Sequence, residues 1–266
     1  MAHVFEKKYE VAYRDTNVRQ ECNLSSYMEF MVDAAFCQEA TLGLSISDLI
    51  KSNHTWVIYD YKIKIHKYAN YRDKLKVVTY VKRFKKFYAI RIFEIYDASN
   101  NLIVEGETLA FFIDMIKVRP CIIPKYYYEL YCVEEDNKEP IKKLKLKAPE
   151  KVTHEKEFEI RYGDIDLNLH VGNVQYVKWI METIPFEVMT NYRNNHIKIK
   201  YEKEIKYGEK IRVQTEIKNL ENNILAIHQI IDKDNKEIAL LESHWEKIND
   251  SNNFIKNLNI EQNIKQ

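Results

Sequence analysis

Glycine, proline and net charge are all scarce in this chain of 266 residues. Glycine and proline number only five each, which excludes collagen-like and Gly- or Pro-rich low-complexity classes. The formal net charge is +1, so a strongly basic nucleic-acid-binding protein is excluded as well. No apolar run approaches the ~18 residues of a membrane helix, and the start, MAHVFEKKYE, lacks the apolar core of a signal peptide. An ordinary globular protein remains.

The four cysteines form no pattern that binds a metal. Cys22, Cys37, Cys121 and Cys132 include no CxxC pair, and no histidine lies at zinc-ligand spacing from them. A disulfide framework is not expected in a chain long enough to bury a sizeable core. We therefore interpret the cysteines as reduced thiols in a cytoplasmic protein without a metal site, and Cys22 as a core thiol.

The chain contains an internal repeat. Residues 9–31 match residues 158–180 at a constant offset of 149, and residues 62–77 match residues 198–213 at an offset of 136. Two matches in the same order are much less expected by chance than one, so two copies of one module are predicted. Identical residues in the two copies include Glu10 and Glu159, Tyr13 and Tyr162, Tyr27 and Tyr176, and Tyr71 and Tyr207.

The repeat divides the chain into four parts. The two modules span residues 1–118 and 154–248, in line with ~150 residues per domain. Residues 119–153 hold most of the prolines and a dense run of charges, so they are predicted to form a linker. Residues 249–266 are predicted to form a polar tail that frays.

Each module shows one helical segment followed by several strands. An alternating strand, at Phe5–Tyr13 or Phe158–Tyr162, precedes a helix whose apolar residues recur every three or four positions. Pro185 is expected to mark the end of the second helix. Runs rich in Val, Ile, Tyr and Phe follow. This order predicts an α+β fold in which an antiparallel sheet curls around the helix, and two such sheets can join along their open edges.

A polar trio stands between the first strand and the helix of the second module. Asp166, Asn168 and His170 alternate along the chain, and in an extended stretch this period places them on one side. The residues expected to face the core are then Leu167, Leu169 and Val171. In the first module the trio is replaced by Asn17, Arg19 and Glu21. Structural residues should repeat, so this asymmetry favours a functional site in the second module over a loop that merely caps the helix.

The helix that follows the trio begins at Gly172 or Asn173. Its first backbone N–H groups are unpaired and carry partial positive charge. An imidazole, an amide and a carboxylate beside such donors suit acyl chemistry, because the carbonyl oxygen of a thioester can accept the N–H groups as its charge develops. Glu204 is a second candidate, with Tyr68 as its counterpart, although its pattern alone is that of a solvated carboxylate.

The stretch DIDLNLHVGNVQYVKWIMET resembles the signature of acyl-[acyl-carrier-protein] thioesterases. The first half is similar to the same family in HTWVIYDYKIKIHKYANYRDKL and in IVEGETLAFFIDMIKVRPCIIP. The resemblance covers Phe5 to Ile248. It implies two tandem hotdog modules that form an intramolecular pseudo-dimer, with a catalytic second module and a catalytically silent first module that binds the acyl chain.

The resemblance also implies residue roles. The catalytic positions of the family fall on Asp166, Asn168, His170 and Glu204. Plant-type members have a cysteine where this chain has Ile205, which disfavours a covalent cysteine mechanism. We therefore expect water to attack the thioester with help from His170 and Glu204, without a cofactor, because the substrate carries the phosphopantetheine arm. The backbone N–H groups expected to hold the oxyanion are those of Val171 and Gly172.

The expected substrate is a fatty acyl thioester of an acyl carrier protein. The acyl chain is expected in an apolar groove of the first module, lined by Met28, Phe30, Met31 and Trp56. Because the carrier protein is acidic, a basic docking patch is expected, with candidates at Lys82, Arg83, Lys85 and Lys86 or at Lys142–Lys147. No nucleic acid or membrane span is expected, and the chain can be a monomer or a homodimer.

Three other functions fit the same sequence. An acyl-coenzyme A thioesterase would need the same trio. A hotdog protein that only binds acyl thioesters would usually need an output domain, which the sequence does not show. A hydratase or dehydratase of this fold would need a histidine and an acid that move protons on carbon.

Overall fold

One antiparallel sheet runs through the whole computed structural model, which describes residues 2–44, 51–134 and 140–248. Within these residues it comprises eleven strands, accompanied by four α-helices. The strands are β1 (Phe5–Glu10), β2 (His54–Ile65), β3 (Lys74–Lys85), β4 (Tyr88–Tyr96), β5 (Leu102–Asp114), β6 (Arg119–Pro120), β7 (His154–Glu159), β8 (Tyr192–Tyr201), β9 (Lys210–Leu220), β10 (Asn223–Asp232) and β11 (Glu237–Lys247). The helices are α1 (Leu24–Thr41), α2 (Lys125–Leu130), α3 (Asn173–Met181) and α4 (Phe186–Asn191).

The two modules are joined at the centre of the sheet. The strand order is β1-β3-β4-β5-β2-β8-β11-β10-β9-β7, with β6 on β5, so the only pairing between modules along this path is β2 with β8. In that pairing Lys62 lies opposite Lys198. These two lysines are equivalent at the offset of 136, so a pseudo-two-fold axis passes between them. Joining the sheets removes two open edges, as the sequence predicted.

The two longer helices, α1 and α3, pack on the sheet and share one core. The burial of β10 alternates along the strand, as a sheet with one covered face requires. Residues of both modules contribute to a single hydrophobic cluster. Glu29 of α1 and Lys178 of α3, equivalent at the offset of 149, form an ion pair at 2.6 Å across the modules. The pseudo-symmetry therefore extends from the sheet to the helices.

A second hydrophobic cluster covers one end of the first module. Trp56, Phe84 and Phe112 pack there against Tyr127 and Tyr131 of the segment around α2. The sequence predicted this segment as part of a linker, and the structure places it against the first module. The boundaries of the modules stay predictions, and the polar tail at 249–266 lies outside the described residues.

Three predicted element ends were wrong. The strand expected at Phe5–Tyr13 ends at Glu10, and Tyr13–Asp15 forms a 3₁₀ turn because the Asp15 carboxylate accepts the Ala12 N–H at 2.9 Å. The second module repeats this arrangement, with β7 ending at Glu159 and a 3₁₀ turn at residues 162–164. The helix expected to reach Pro185 ends at Met181, and α4 follows the proline.

The predictions for the burial of Cys22 and for the strands of the first module are confirmed. Cys22 is fully buried, and all four cysteines are free thiols. The strand runs that the sequence predicts in the first module coincide with β2 to β5 to within two residues at either end; they are Trp56–Ile65, Leu75–Phe84, Tyr88–Tyr96 and Leu102–Ile113. Within the described residues no helix is long and apolar enough to cross a membrane.

Candidate active site

The loop that carries the polar trio is a tight turn rather than an extended stretch. The Asp166 carboxylate accepts the backbone N–H of Asn168 at 2.8 Å, and the Leu169 N–H donates to the Asp166 carbonyl at 3.1 Å. Leu169 has a φ of 65°, in the left-handed region. The expectation that three apolar residues face the core is therefore wrong for Leu167 and Leu169, which are 74% and 81% exposed, and correct only for Val171.

The turn nevertheless brings the trio together. The Asn168 side-chain amide donates to the Asp166 carboxylate at 3.4 Å. The Asp166 N–H donates to the carbonyl of His170 at 2.9 Å, which closes the turn. Nδ1 of His170 lies 4.0 Å from Oδ1 of Asp166. The three polar side chains thus form one cluster, held by the hydrogen bonds of Asp166 itself.

Glu204 completes the cluster from another part of the chain. Its Oε1 lies 3.7 Å from Nε2 of His170, so the imidazole stands between two carboxylates. This distance is longer than a direct hydrogen bond, and a water molecule can contact both groups at once. Glu204 is half exposed, as its pattern alone indicates, and it also lies beside His170, where the family resemblance implies a catalytic role. That role stays a prediction.

The segment that carries Glu204 is hydrogen-bonded to the loop of His170 and to α3. The Val171 N–H donates to the carbonyl of Ile205 at 2.9 Å. The Tyr201 hydroxyl donates to the carbonyl of Asn173 at 3.0 Å. Tyr176 of α3 is buried beside this segment, and burial, followed by the charge of Glu204, raises its pKa. These contacts fix the position of Glu204 relative to His170.

The prediction of the oxyanion donors is wrong. The Val171 N–H already donates to Ile205, and the Gly172 N–H donates to the carbonyl of Asp164 at 3.1 Å. The next two N–H groups along the chain, those of Asn173 and Val174, have no acceptor among the described residues. They form the N-terminus of α3, where unpaired N–H groups and the helix dipole both favour negative charge.

Two family models match this chain. The model of the acyl-ACP thioesterase N-terminal domain matches residues 2–131, and that of the C-terminal domain matches residues 147–247. The chain belongs to the acyl-ACP thioesterase family. The second match contains Asp166, Asn168, His170 and Glu204, so this polar cluster lies within the family's C-terminal domain.

Similar proteins agree with this family. A chloroplastic acyl-[acyl-carrier-protein] hydrolase of Cuphea viscosissima is 20% identical over 259 residues, which cover 91% of this chain and 62% of that protein. The chain therefore spans less than two thirds of the length of this relative. A structure from Lactobacillus plantarum, provisionally named an oleoyl thioesterase, has a TM-score of 0.87 at 20% identity, covering 94% of this chain and 98% of its own.

A third relative confirms the fold. The 12:0-ACP thioesterase of Umbellularia californica has a TM-score of 0.82 at 17% identity, and the match covers 92% of this chain and 94% of that one. The tandem hotdog fold predicted from the sequence is thereby confirmed. At this identity the likeness establishes the fold, and the roles of individual residues depend on the geometry of this chain.

The first module of this acyl-ACP thioesterase family member uses its copy of the loop differently. The Arg19 guanidinium contacts the Glu21 carboxylate at 2.8 Å, and Arg193 of β8 donates to the same carboxylate. Tyr68, the counterpart of Glu204, donates its hydroxyl to the carbonyl of Asn194. The Glu21 carboxylate at the centre of these contacts is buried, with 4% of the side chain exposed, whereas the Arg193 side chain is 38% exposed. The silent loop, as we call residues 17–21, therefore joins the modules.

The predicted groove residues do not converge on one groove. Met28 and Met31 are fully buried in the shared core, where Sδ of Met31 accepts a hydrogen bond from the Tyr61 hydroxyl at 3.3 Å. Phe30 stacks on Tyr9, with ring centroids 4.8 Å apart. Trp56 belongs to the separate cluster around α2. Their roles in substrate binding stay predictions.

Proposed function

We propose that this chain hydrolyses fatty acyl thioesters of acyl carrier protein and releases the free fatty acid. The observation that carries this proposal is the imidazole of His170, held between Asp166 and Glu204 beside the unpaired N–H groups of α3. A base, its orienting carboxylates and donors for an oxyanion are the groups that thioester hydrolysis needs. Membership of the acyl-ACP thioesterase family supports the same reaction.

Water is the nucleophile in this scheme. A water at ordinary hydrogen-bond distance from Nε2 of His170 and Oε1 of Glu204 gives up a proton to this pair as its oxygen attacks the carbonyl carbon. The oxyanion that forms accepts hydrogen bonds from the N–H groups of Asn173 and Val174. The C–S bond then breaks, and the proton held by the pair passes to the departing thiolate.

Asp166 and Asn168 support this step. The Asp166 carboxylate faces Nδ1 of His170, where it stabilises the imidazolium that forms when the ring takes a proton. Asn168 is held by Asp166, and its amide orients the water or the thioester. The scheme uses no cofactor, because the phosphopantetheine arm comes with the substrate. A cytoplasmic location and a monomeric or dimeric state stay predictions.

The test is hydrolysis of a panel of acyl-carrier-protein thioesters of increasing chain length, together with matched coenzyme A esters. The wild-type protein should release fatty acid preferentially from the carrier protein, and His170→Ala should abolish release. His66→Ala is the matched control, because His66 is exposed on the first module and pairs with Glu105. Folded wild-type protein that releases no fatty acid, or undiminished release by His170→Ala, would overturn the proposal.

A further inference from the structure

One end of the first module's sheet combines basic and apolar side chains in solvent. Val118 is 82% exposed, Ile116 72% and Ile122 71%. A cluster of aliphatic side chains this exposed marks an interaction site rather than ordinary surface. We refer to this surface as the basic end, and its members are Lys86, Ile116, Lys117, Val118, Arg119 and Ile122.

Backbone pairing makes the basic end one continuous surface. The carbonyl of Lys86 in the β3–β4 turn accepts the N–H of Ile123 at 2.8 Å. Arg119 pairs with Asp114 in the short β5–β6 ladder. Lys117 contacts the Asp114 carboxylate at 3.3 Å, whereas Lys86 and Arg119 form no ion pair within the described part of the chain. The surface therefore carries net positive charge.

The β5–β6 turn holds an apolar side chain in solvent at a cost in backbone strain. Val118 has a φ of 48°, a conformation that a β-branched residue adopts only under strain. The Asp114 carboxylate supports the turn by accepting the N–H groups of Ile116 and Lys117, both at 3.0 Å. A strained turn that keeps valine exposed points to a use for that side chain.

The pseudo-two-fold relation places the basic end beside the catalytic loop. The Arg19 guanidinium of the silent loop donates to the carbonyl of Met189, just before β8. At the offset of 136 Met189 corresponds to Asn53, just before β2. The repeat therefore directs the loop of His170 toward Asn53. The Asn53 carbonyl accepts the N–H of Met115 at 2.9 Å, so the basic end begins one hydrogen bond from this position.

The equivalent turn in the second module carries a residue of the opposite charge. The β9–β10 turn of the second module corresponds to the β3–β4 turn of the first, and it carries Glu221 where the first has Lys86. Both residues have positive φ, 32° and 59°, which confirms that the turns are equivalent. The turn beside the catalytic loop is thus basic, and the turn beside the silent loop is acidic.

We propose that the basic end is the docking surface for the acidic carrier protein that delivers the acyl thioester, an inference that rests on the proposed function. Exposed cations steer an acidic partner and set its orientation, while the aliphatic side chains supply the buried centre of the interface. An anionic membrane also attracts basic and apolar surfaces. The carrier protein is favoured because the basic end lies on the side toward which the repeat directs the loop of His170.

The structure also selects among the basic residues predicted from the sequence. Arg83 is only 6% exposed, so it does not belong to the docking surface. The ammonium groups of Lys143 and Lys86 both lie over aromatic rings, 5.1 Å from the ring centre of Tyr59 and 5.3 Å from that of Phe87. Of the basic residues predicted from the sequence for docking, Lys86 is a member of the basic end.

The test compares carrier-protein and small thioesters of the same acyl chain. The variant Lys86→Glu with Arg119→Glu should lower the ratio of kcat/KM for acyl carrier protein to kcat/KM for acyl-pantetheine by about tenfold, mainly through KM, at low salt. High salt should shrink the difference, because exposed charges are screened. The matched control is Glu221→Lys at the silent end, for which the ratio should stay within about twofold of the wild-type value.

The outcomes separate this inference from the proposed function. A wild-type protein that cleaves neither thioester would remove the proposed function, and the docking surface with it. A wild-type protein that cleaves both, with an unchanged ratio in the charge-reversal variant, would overturn the docking surface alone. Binding of the wild-type protein to phosphatidylglycerol vesicles, lost in the variant together with an unchanged ratio, would assign the basic end to a membrane instead.

Discussion

The Glu21 carboxylate of the first module accepts a hydrogen bond from the guanidinium of Arg193 in the second. Glu21 stands where the second module has His170, and its side chain is only 4% exposed. The position that holds His170 in one module therefore joins the modules in the other. Since Arg19 contacts the same carboxylate from within the silent loop, one buried anion balances two cations.

Glu21→Ala should destabilise the protein strongly. The variant leaves Arg19, whose side chain is 7% exposed, as a buried cation without its carboxylate. Breaking a buried pair in this way costs about 3–5 kcal/mol of the free energy of unfolding. Urea denaturation followed by circular dichroism measures the change. Glu29→Ala is the control, because the Glu29–Lys178 pair also joins the modules but is about half exposed, and its loss should cost about 0–1 kcal/mol.

Glu204→Gln should slow hydrolysis without unfolding the protein. The carboxylate is half exposed and faces His170, so the amide removes general-base help but little packing. The expected loss in kcat is about 10²–10⁴-fold, with a small change in KM. Steady-state kinetics on one acyl-carrier-protein thioester measure both constants. A kcat equal to that of the wild type would mean that Glu204 does not take part.

Ile205→Cys tests whether a cysteine at this position can act as the nucleophile in place of water. Ile205 is fully buried, and its carbonyl accepts the N–H of Val171. A thiol at this position should not raise kcat, because water attacks the thioester in the proposed scheme. Mass spectrometry of the variant after rapid quenching should detect no acyl-enzyme. An acyl group found on the new cysteine, with a raised kcat, would contradict this expectation.

The stability of the second module should fall in acid because of His228. This histidine is fully buried, and Nδ1 lies 2.8 Å from Oγ1 of Thr215 while Nε2 lies 3.0 Å from Oγ of Ser243. Burial lowers its pKa from 6.5 to about 3. Between these values the unfolded chain binds a proton that the folded chain excludes, so the free energy of unfolding falls as the pH drops from 6.5 toward 3.

The comparison of wild type with His228→Gln isolates this contribution. Glutamine keeps polar atoms for the neighbouring hydroxyl groups but does not titrate. Urea denaturation at several pH values between 4 and 7 should give the variant a smaller loss of stability on acidification, although its stability at neutral pH is lower. His196, whose pKa burial lowers to about 4, remains in both proteins and contributes equally to both. Parallel curves for the two proteins would contradict the assignment.

More of the fold than of the site geometry could be predicted from the sequence. The repeat and the strand runs of the first module could be predicted, because alternating and equivalent positions survive in the sequence. The pairing of Lys62 with Lys198 became visible only in the structure. The trio was found because it breaks the repeat. The conformation of the trio could not be predicted. The Asp166 carboxylate bends the loop into a turn, which exposes Leu167 and Leu169. The alternation of polar and apolar residues does not reveal a side chain that accepts a hydrogen bond from the backbone two residues further on.

Contacts between distant segments were also beyond the sequence. The Val171 N–H was expected to hold an oxyanion, but the carbonyl of Ile205 accepts it. Nothing local in the sequence shows that Arg19 and Glu21 face Arg193. The role of Glu21 depends on a partner in the other module, which the residues around it do not reveal.

The continuous sheet across β2 and β8 has a consequence for how such a protein can change. In a homodimer of identical hotdog subunits every substitution occurs twice, once on each side of the axis. Here the two halves are separate stretches of one chain. Lys86 can therefore stand at the β3–β4 turn while Glu221 stands at the equivalent β9–β10 turn. Covalent linkage thus frees each half from the symmetry that its own architecture still displays.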